Sequence, residues 1–154
     1  MGVGKTTIGR KLSKVLKLPF VDTDSLVVAE HGAIPEIFAK LGEEKFREFE
    51  EQALEFALRA PGIVATGGGA VLSARSQVLL RDSTVIYLAT NGRHIGSRLK
   101  GGKRPLLKDG VEAWRRIYEE RKPVYQMVCD FEVDTSGKSL ATTVAEIREL
   151  IQSK

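Results

Sequence analysis

The chain has 154 residues, of which 42% are hydrophobic, and its 24 Lys and Arg against 20 Asp and Glu give a net charge of +4. This length and apolar content predict a single globular domain over residues 1–154, with a hydrophobic core of its own. The one cysteine, Cys129, excludes an internal disulfide framework and a cysteine-rich zinc site, and no apolar run reaches the length of a membrane span.

The basic residues are concentrated between residues 100 and 122, without the interleaved aromatic side chains that a nucleic-acid stacking surface needs. We therefore predict a local site for a small anion, with neither nucleic acid nor a membrane as a partner. His31 and His94 have no metal-ligand pattern and are interpreted as surface residues, and Cys129 is interpreted as a small buried side chain.

The amino-terminal residues form the second half of the phosphate-loop motif G-x-x-x-x-G-K-[ST], whose first glycine would lie ahead of Met1. The residues present are Gly2, Val3, Gly4, Lys5, Thr6 and Thr7. In such a loop backbone N–H groups hold phosphates, the lysine reaches the β- and γ-phosphates, and the Ser or Thr hydroxyl binds Mg²⁺. Half a motif is weak evidence by itself, because a plain amino-terminal tail fits it equally well.

The residues after the loop favour the phosphate-loop interpretation. Ile8, Leu12, Val15 and Leu16 form an apolar stripe with helical spacing, and Pro19 ends the predicted helix. A helix directly behind the glycine loop points its N-terminus at the phosphate. A mitochondrial presequence or a myristoylation signal would also fit this start, but the phosphate-loop helix explains it more economically.

The rest of the chain predicts helices that alternate with short strands. Predicted strands cover residues 20–21, 63–65, 84–88 and 131–133. Predicted helices cover residues 25–30, 36–41, 43–60, 76–81, 91–100 and 111–121, and a last helix extends over 140–151. This alternation predicts a parallel sheet with helices on both faces.

Two segments fall at the carboxyl ends of predicted strands, where ligands gather in parallel sheets. Asp22 and Asp24 follow the first strand and suit hydrated Mg²⁺ or the orientation of a hydroxyl group, although a helix cap explains them equally well. Gly67, Gly68 and Gly69 follow the second strand. Three glycines allow backbone amides to approach a ligand closely, and the alternative is a plain turn.

Arginine residues supply candidate anion contacts. Arg47 and Glu50 lie three residues apart on one helix face, either as part of a binding site or as a solvated surface pair. Arg104 lies in a basic loop over residues 101–105, and Arg121 lies near the end of a predicted helix. Because guanidinium groups bind carboxylate and phosphate bidentately, three converging arginines would demand a small anionic substrate.

Several sequence runs in a fixed order carry a family resemblance. They are GVGKTTIGR at 2–10, DTD at 22–24, EIF at 36–38, GE at 42–43, FR at 46–47 with Glu50, ATGGGAV at 65–71, RPLL at 104–107, RKPVY at 121–125 and VDT at 133–135. In this order and spacing the chain resembles the shikimate kinases. The resemblance implies MgATP-dependent phosphorylation of the shikimate 3-hydroxyl in aromatic amino-acid synthesis, by a cytoplasmic monomer.

The resemblance also implies roles for the matching residues. Lys5 contacts the transferred phosphate, Thr6 binds Mg²⁺, and Asp22 holds the metal through water. Asp24 binds the shikimate hydroxyls and is the candidate base. Arg47 and Arg121 bind the substrate carboxylate, and Glu50 orients Arg47. The glycine triplet Gly67, Gly68 and Gly69 contacts the ring of the substrate.

On the nucleotide side, the resemblance implies ATP contacts from residues 2–7, and also from Arg98, Ser136 and Lys138. Arg104 reaches the phosphates from a lid over residues 101–109, which closes over the reaction and excludes water.

The implied fold is the phosphate-loop kinase α/β/α sandwich, with a parallel sheet of family order 2-3-1-4-5. The first, central strand of that order has no counterpart after Met1. We expect either a start upstream of Met1 or a truncated product, and a gap in the sheet between the strands at 63–65 and 84–88.

Two alternatives stay open at this point. Another small-molecule kinase, such as a gluconate or nucleoside monophosphate kinase, would share the loop but not the Asp-Thr-Asp, triple-glycine and Arg-Pro-Leu-Leu set. A non-catalytic relative would bind a ligand and perform no chemistry.

Overall fold

The computed structural model describes residues 2–93, 95 and 110–154. The helices are α1 Lys5–Leu16, α2 Thr23–His31, α3 Ile34–Ala57, α4 Ala74–Leu79, α5 Gly110–Val128 and α6 Leu140–Gln152. The strands are β1 Phe20–Asp22, β2 Ile63–Ala65, β3 Ile86–Ala89 and β4 Phe131–Asp134. Short 3₁₀ turns, Ala70–Leu72 and Leu80–Asp82, flank α4. The predicted alternation of helices and strands is confirmed.

The strands form two parallel pairs. β1 pairs with β2, starting with Phe20 opposite Ile63, and β3 pairs with β4, starting with Ile86 opposite Phe131. Within the described residues no ladder joins β2 to β3. The predicted gap between these two strands is therefore present.

A cavity of about 610 Å³ lies between the two pairs of strands. Ile63 and Val64 line it on one side, and Ile86 and Leu88 line it on the other. Lys5, Gly67 and Gly68 also line this cavity. The apolar space in the sheet is thus continuous with the phosphate loop and the glycine triplet.

Helices cover both faces of the sheet, as predicted. On one face, Ile8 and Leu12 of α1 pack with Val133 of β4 and with Val144 and Ile147 of α6. A second core joins α2 to α3 through Val27, Ile37, Phe46 and Ala53. The α1 stripe is confirmed at Ile8 and Leu12, but Val15 is 40% exposed.

The predicted end of α5 at residue 121 is wrong, because the helix continues through Pro123 to Val128. A proline inside a helix removes a backbone hydrogen bond and costs about 3 kcal/mol or more. In this helix Val124, Tyr125 and Val128 pack against a cluster around Leu54, and this burial offsets that cost. The extension carries Tyr125 to the functional site.

Other boundaries differ by smaller amounts. The helix break predicted at Gly42 is present as a kink inside α3, where Gly42 has φ 82° and ψ 171°. His31 is partly buried, since its ring stacks on Phe49 with 3.6 Å between centroids and its side chain is 22% exposed. Cys129 is only partly buried. The predicted helix at 91–100, the lid at 101–109 and His94 fall largely or wholly outside the described residues.

Candidate active site

The phosphate loop leads directly into α1. Gly2 and Gly4 have φ values of 72° and 92°, a left-handed conformation that side chains with a Cβ rarely adopt. The helix begins at Lys5, and the amide of Ile8 donates to the carbonyl oxygen of Gly4 at 2.9 Å. Backbone N–H groups and the positive end of the helix dipole therefore meet at this loop, which suits a phosphate.

Thr6 and Asp22 bring two oxygen ligands together beside the loop. The Thr6 hydroxyl donates to Asp22 Oδ2 at 2.6 Å. Asp22 Oδ1 accepts from the amides of Asp24 and Ser25 at 3.0 and 3.3 Å, so the same carboxylate caps α2. The capping interpretation is therefore correct for Asp22, and the cap also fixes the orientation of this carboxylate.

The oxygen pair fits Mg²⁺, which binds one or two protein oxygens together with water and phosphate. The described residues contain no group of three or more acidic, His or Cys side chains that could hold a metal by themselves. A magnesium ion at this oxygen pair would therefore need water and phosphate oxygens as its other ligands.

Asp24 lies in the first turn of α2, and its Oδ1 comes within 3.0 Å of the position that a Cβ at Gly67 would take. Burial raises the pKa of its carboxyl group, and the nearby charge of Asp22 raises it further. Lys5 and Arg47 act in the opposite direction without cancelling this increase. A carboxyl group whose pKa lies above its ordinary range is suited to accept a proton.

Arg47 and Glu50 form a partly buried ion pair rather than the solvated surface pair, since the Arg47 side chain is 20% exposed and the Glu50 side chain 3%. Arg47 Nη1 donates to Glu50 Oε2 at 2.7 Å, and Arg47 Nη2 donates to Glu43 Oε1 at 3.0 Å. Glu50 is only 2% exposed, and burial raises its pKa although Arg47 lowers it. Two carboxylates thus fix the guanidinium plane. The contribution of Glu43 was not foreseen from the sequence, although its i, i+4 spacing to Arg47 was a usable signal.

The glycine triplet is required by the side chains that pack against it. A Cβ at Gly67 would lie 2.1 Å from Glu50 Oε1 and 3.0 Å from Asp24 Oδ1. A Cβ at Gly69 would lie 2.1 Å from Arg47 Nη1. The plain-turn interpretation is therefore insufficient, since these glycines make room for the charged groups of the site.

Buried hydroxyl groups hold the triplet in place, and the sequence reasoning missed both of them. Thr23 is fully buried, and its Oγ1 accepts from the amide of Gly67 at 3.3 Å. The Tyr125 hydroxyl donates to the carbonyl oxygen of Gly68 at 2.5 Å. Arg121, one turn before Tyr125 on α5, is 8% exposed and acts electrostatically on Glu50. Arg121 is therefore buried and is not a solvated surface charge.

Ser136 and Lys138 follow β4 at the same edge of the sheet. Ser136 Oγ accepts from the amide of Asn91 at 2.8 Å and thereby joins the segments after β3 and β4. Lys138 Nζ pairs with Glu146 at 2.6 Å. Arg98 and Arg104 lie outside the described residues, so their predicted roles stay predictions.

The sequence model of the shikimate kinase family matches residues 1–152. The chain belongs to the shikimate kinase family. The shikimate kinase of Rhodococcus erythropolis is 41% identical over 159 residues, which cover 99% of this chain and 94% of that protein. The shikimate kinase of Geobacter sulfurreducens is also 41% identical, with 99% of this chain and 87% of that protein covered.

Solved shikimate kinases share the fold. The Acinetobacter baumannii enzyme, solved in complex with shikimate, has a TM-score of 0.93 at 34% identity, covering 99% of this chain and 89% of that one. The Bacteroides thetaiotaomicron enzyme has a TM-score of 0.87 at 26% identity, and the match covers 99% of this chain and 94% of that one. Family membership confirms the phosphate-loop kinase fold, the kinase class and a small-molecule substrate. The helices of the described residues include none long and apolar enough to cross a membrane.

A substitution at Gly69 tests the packing of the glycine triplet in this shikimate kinase family member. We expect Gly69→Ala to displace the Arg47 guanidinium, because the new methyl group would lie 2.1 Å from Nη1. The far end of an arginine can move, so folding should persist and the loss should appear as about a tenfold higher KM for a carboxylate substrate. Steady-state kinetics and circular dichroism check this, and an unchanged KM would contradict it.

Proposed function

We propose that this protein is a shikimate kinase that transfers the γ-phosphoryl group of MgATP to the 3-hydroxyl of shikimate. The observation that carries the proposal is the meeting of Asp24, the Arg47–Glu50 pair, Arg121 and the glycine triplet beside the phosphate loop. A shikimate-bound relative with a TM-score of 0.93 supports the substrate. The cytoplasmic location and the monomeric state stay predictions from the sequence.

Charge neutralisation dominates phosphoryl transfer, because little covalent work falls to the protein. The loop amides and Lys5 would hold the phosphates, and Arg104 would add charge from the segment outside the described residues. Magnesium, when bound through Thr6 and water held by Asp22, would neutralise charge on the phosphates. Ser136 and Lys138 follow β4, in keeping with the proposed nucleotide side.

The remaining residues of the site would position the acceptor substrate, whose hydroxyl attacks the phosphoryl group. Arg47 and Arg121 would bind the carboxylate of the substrate, since a guanidinium pair recognises a planar anion with fixed geometry. Asp24 would then hold the attacking hydroxyl and accept its proton as the bond to phosphorus forms. The raised pKa of Asp24 is consistent with that proton transfer.

Substrate selectivity tests the proposal. ADP formation from MgATP should be stimulated by shikimate, and gluconate and AMP should leave it at the background rate, because only shikimate carries a carboxylate and a ring hydroxyl at the required separation. The assay couples ADP to NADH oxidation and checks the product by phosphorus NMR. Turnover of gluconate or AMP at the rate of shikimate would overturn the assignment. Nucleotide binding without turnover would favour a non-catalytic relative.

A further inference from the structure

The Tyr125 hydroxyl joins two parts of the site that come from distant segments of the chain. It donates to the Gly68 carbonyl oxygen at 2.5 Å, across a sequence separation of 57 residues. The charge of the Arg121 guanidinium acts on the same hydroxyl and lowers its pKa. Arg121 and Tyr125 lie four residues apart on α5, so they share one face of this helix.

The Tyr125 hydroxyl supplies the donor that the Gly68 carbonyl oxygen accepts, since a backbone carbonyl cannot donate a hydrogen bond. Arg121 lies about one turn earlier on the same helix, so this bond also ties the turn that carries Arg121 to the glycine triplet. A phenylalanine in place of Tyr125 would keep the ring and lose that bond.

The ring of Tyr125 is fixed by the core and not by the loop. It packs against Tyr87 with 5.1 Å between ring centroids, and it also contacts the cluster around Leu54. Burial raises the pKa of its hydroxyl, with Arg121 acting against this increase, so the group keeps its proton at neutral pH. The hydrogen-bond donor to Gly68 therefore stays available at neutral pH.

We propose that Tyr125 is a positioning residue for substrate binding, in that its hydroxyl sets the orientation of Arg121 relative to the glycine triplet. The inference rests on the proposed function, in which Arg121 binds the substrate carboxylate. Tyr125 acts through Arg121 and makes no contact of its own with the reacting phosphate. Its loss should therefore weaken shikimate binding and spare the chemical step.

The test is Tyr125→Phe in the shikimate assay. The KM for shikimate should rise about tenfold, the effect of losing one hydrogen bond, with kcat and the KM for ATP within about twofold of wild type. In an Arg121→Lys background the same change should add little, because the group that it orients is already altered. An additive effect in the double variant would show that Tyr125 acts independently of Arg121 and would overturn the inference.

Tyr118→Phe is the matched control, since Tyr118 lies on the same helix and its buried hydroxyl bonds to Tyr87 and to the amide of Thr90. Melting temperatures of the two variants report the structural cost of losing a hydroxyl. An equal rise of the shikimate KM in both variants, or an unchanged KM in Tyr125→Phe, would overturn the inference. Absence of shikimate turnover by the wild type would instead refute the proposed function.

Discussion

Asp24→Asn should lower kcat by about 10²–10⁴-fold, which is the usual contribution of a positioned general base. The amide keeps the shape of the side chain but cannot accept the proton of the shikimate hydroxyl. The KM for ATP should change little, because the phosphates are assigned to Lys5 and the loop amides. Retention of more than about a tenth of the wild-type kcat would reduce Asp24 to a structural residue of the first turn of α2.

The same substitution should leave the fold intact and raise its stability at neutral pH. Burial raises the folded-state pKa of Asp24 above the value of 3.8 for an ordinary aspartate. Between these two pKa values the folded state binds more protons than the unfolded state, so the free energy of unfolding falls as pH rises through that window. The asparagine side chain does not titrate, so the variant does not lose this part of its free energy of unfolding as pH rises. Its advantage in melting temperature over wild type should therefore grow as pH rises through the window.

Asp130→Asn is a suitable control for this effect. Asp130 lies far along the chain, accepts from Lys154 at 2.7 Å and from the amide of Val85, and these bonds lower its pKa. Its ionised form is favoured by folding, so the substitution should reduce stability at neutral pH and leave kcat unchanged. Equal shifts of melting temperature in both variants would contradict the assignment of a carboxylate at position 24 that burial destabilises.

The activity of wild type should also depend on the raised pKa of Asp24. Only the ionised carboxylate accepts a proton, so kcat/KM falls as pH drops through this pKa. The acid limb of the profile should thus lie above the range of an unperturbed aspartate, and it should disappear in the residual activity of Asp24→Asn.

The sequence was informative where local geometry and chemistry coincide. The phosphate loop requires glycine at positions of positive φ and a helix directly behind it, so Gly4 and the stripe beginning at Ile8 predicted both. The carboxyl ends of strands likewise predicted that Asp22, Asp24 and the glycine triplet would meet. Such features depend on short stretches of chain, and a pattern in the sequence records them directly.

Features that depend on contacts between distant segments were not predictable. The intrinsic cost of Pro123 indicated a helix end, and only the packing of α5 against the Leu54 cluster shows why the helix continues. Tyr125 is part of the RKPVY run at 121–125. Its bond to Gly68 exists because α5 continues beyond Pro123 and brings the tyrosine across the pocket. Likewise, the sequence left open whether the Arg47–Glu50 pair lies in the site or in solvent. Only the burial of Glu50 in the folded protein shows that it lies in the site.

The gap between β2 and β3 leads to the second prediction of large effect. Both strands are parallel to their paired neighbours, and they face each other across an apolar cavity of about 610 Å³. An extended apolar segment could pair with both strands at once and bury its side chains on both faces. We therefore expect a segment of about five residues rich in Val and Ile to enter this gap when it is joined ahead of Met1 and is followed by the first glycine of the loop motif and one further residue.

Burial of several branched side chains contributes roughly 1.5–3 kcal/mol each. The fusion should consequently raise the melting temperature by about 10 °C or more and lower the Kd for ATP, because it also fixes the start of the phosphate loop. Calorimetry and nucleotide titration measure the two effects on the same preparation. A matched fusion with proline at the centre of the segment is the control, since proline removes a ladder donor and is excluded from central strands. If the proline fusion stabilised the protein as much as the Val- and Ile-rich one, the segment would be acting outside the sheet and the assignment of the cavity as a strand site would be wrong.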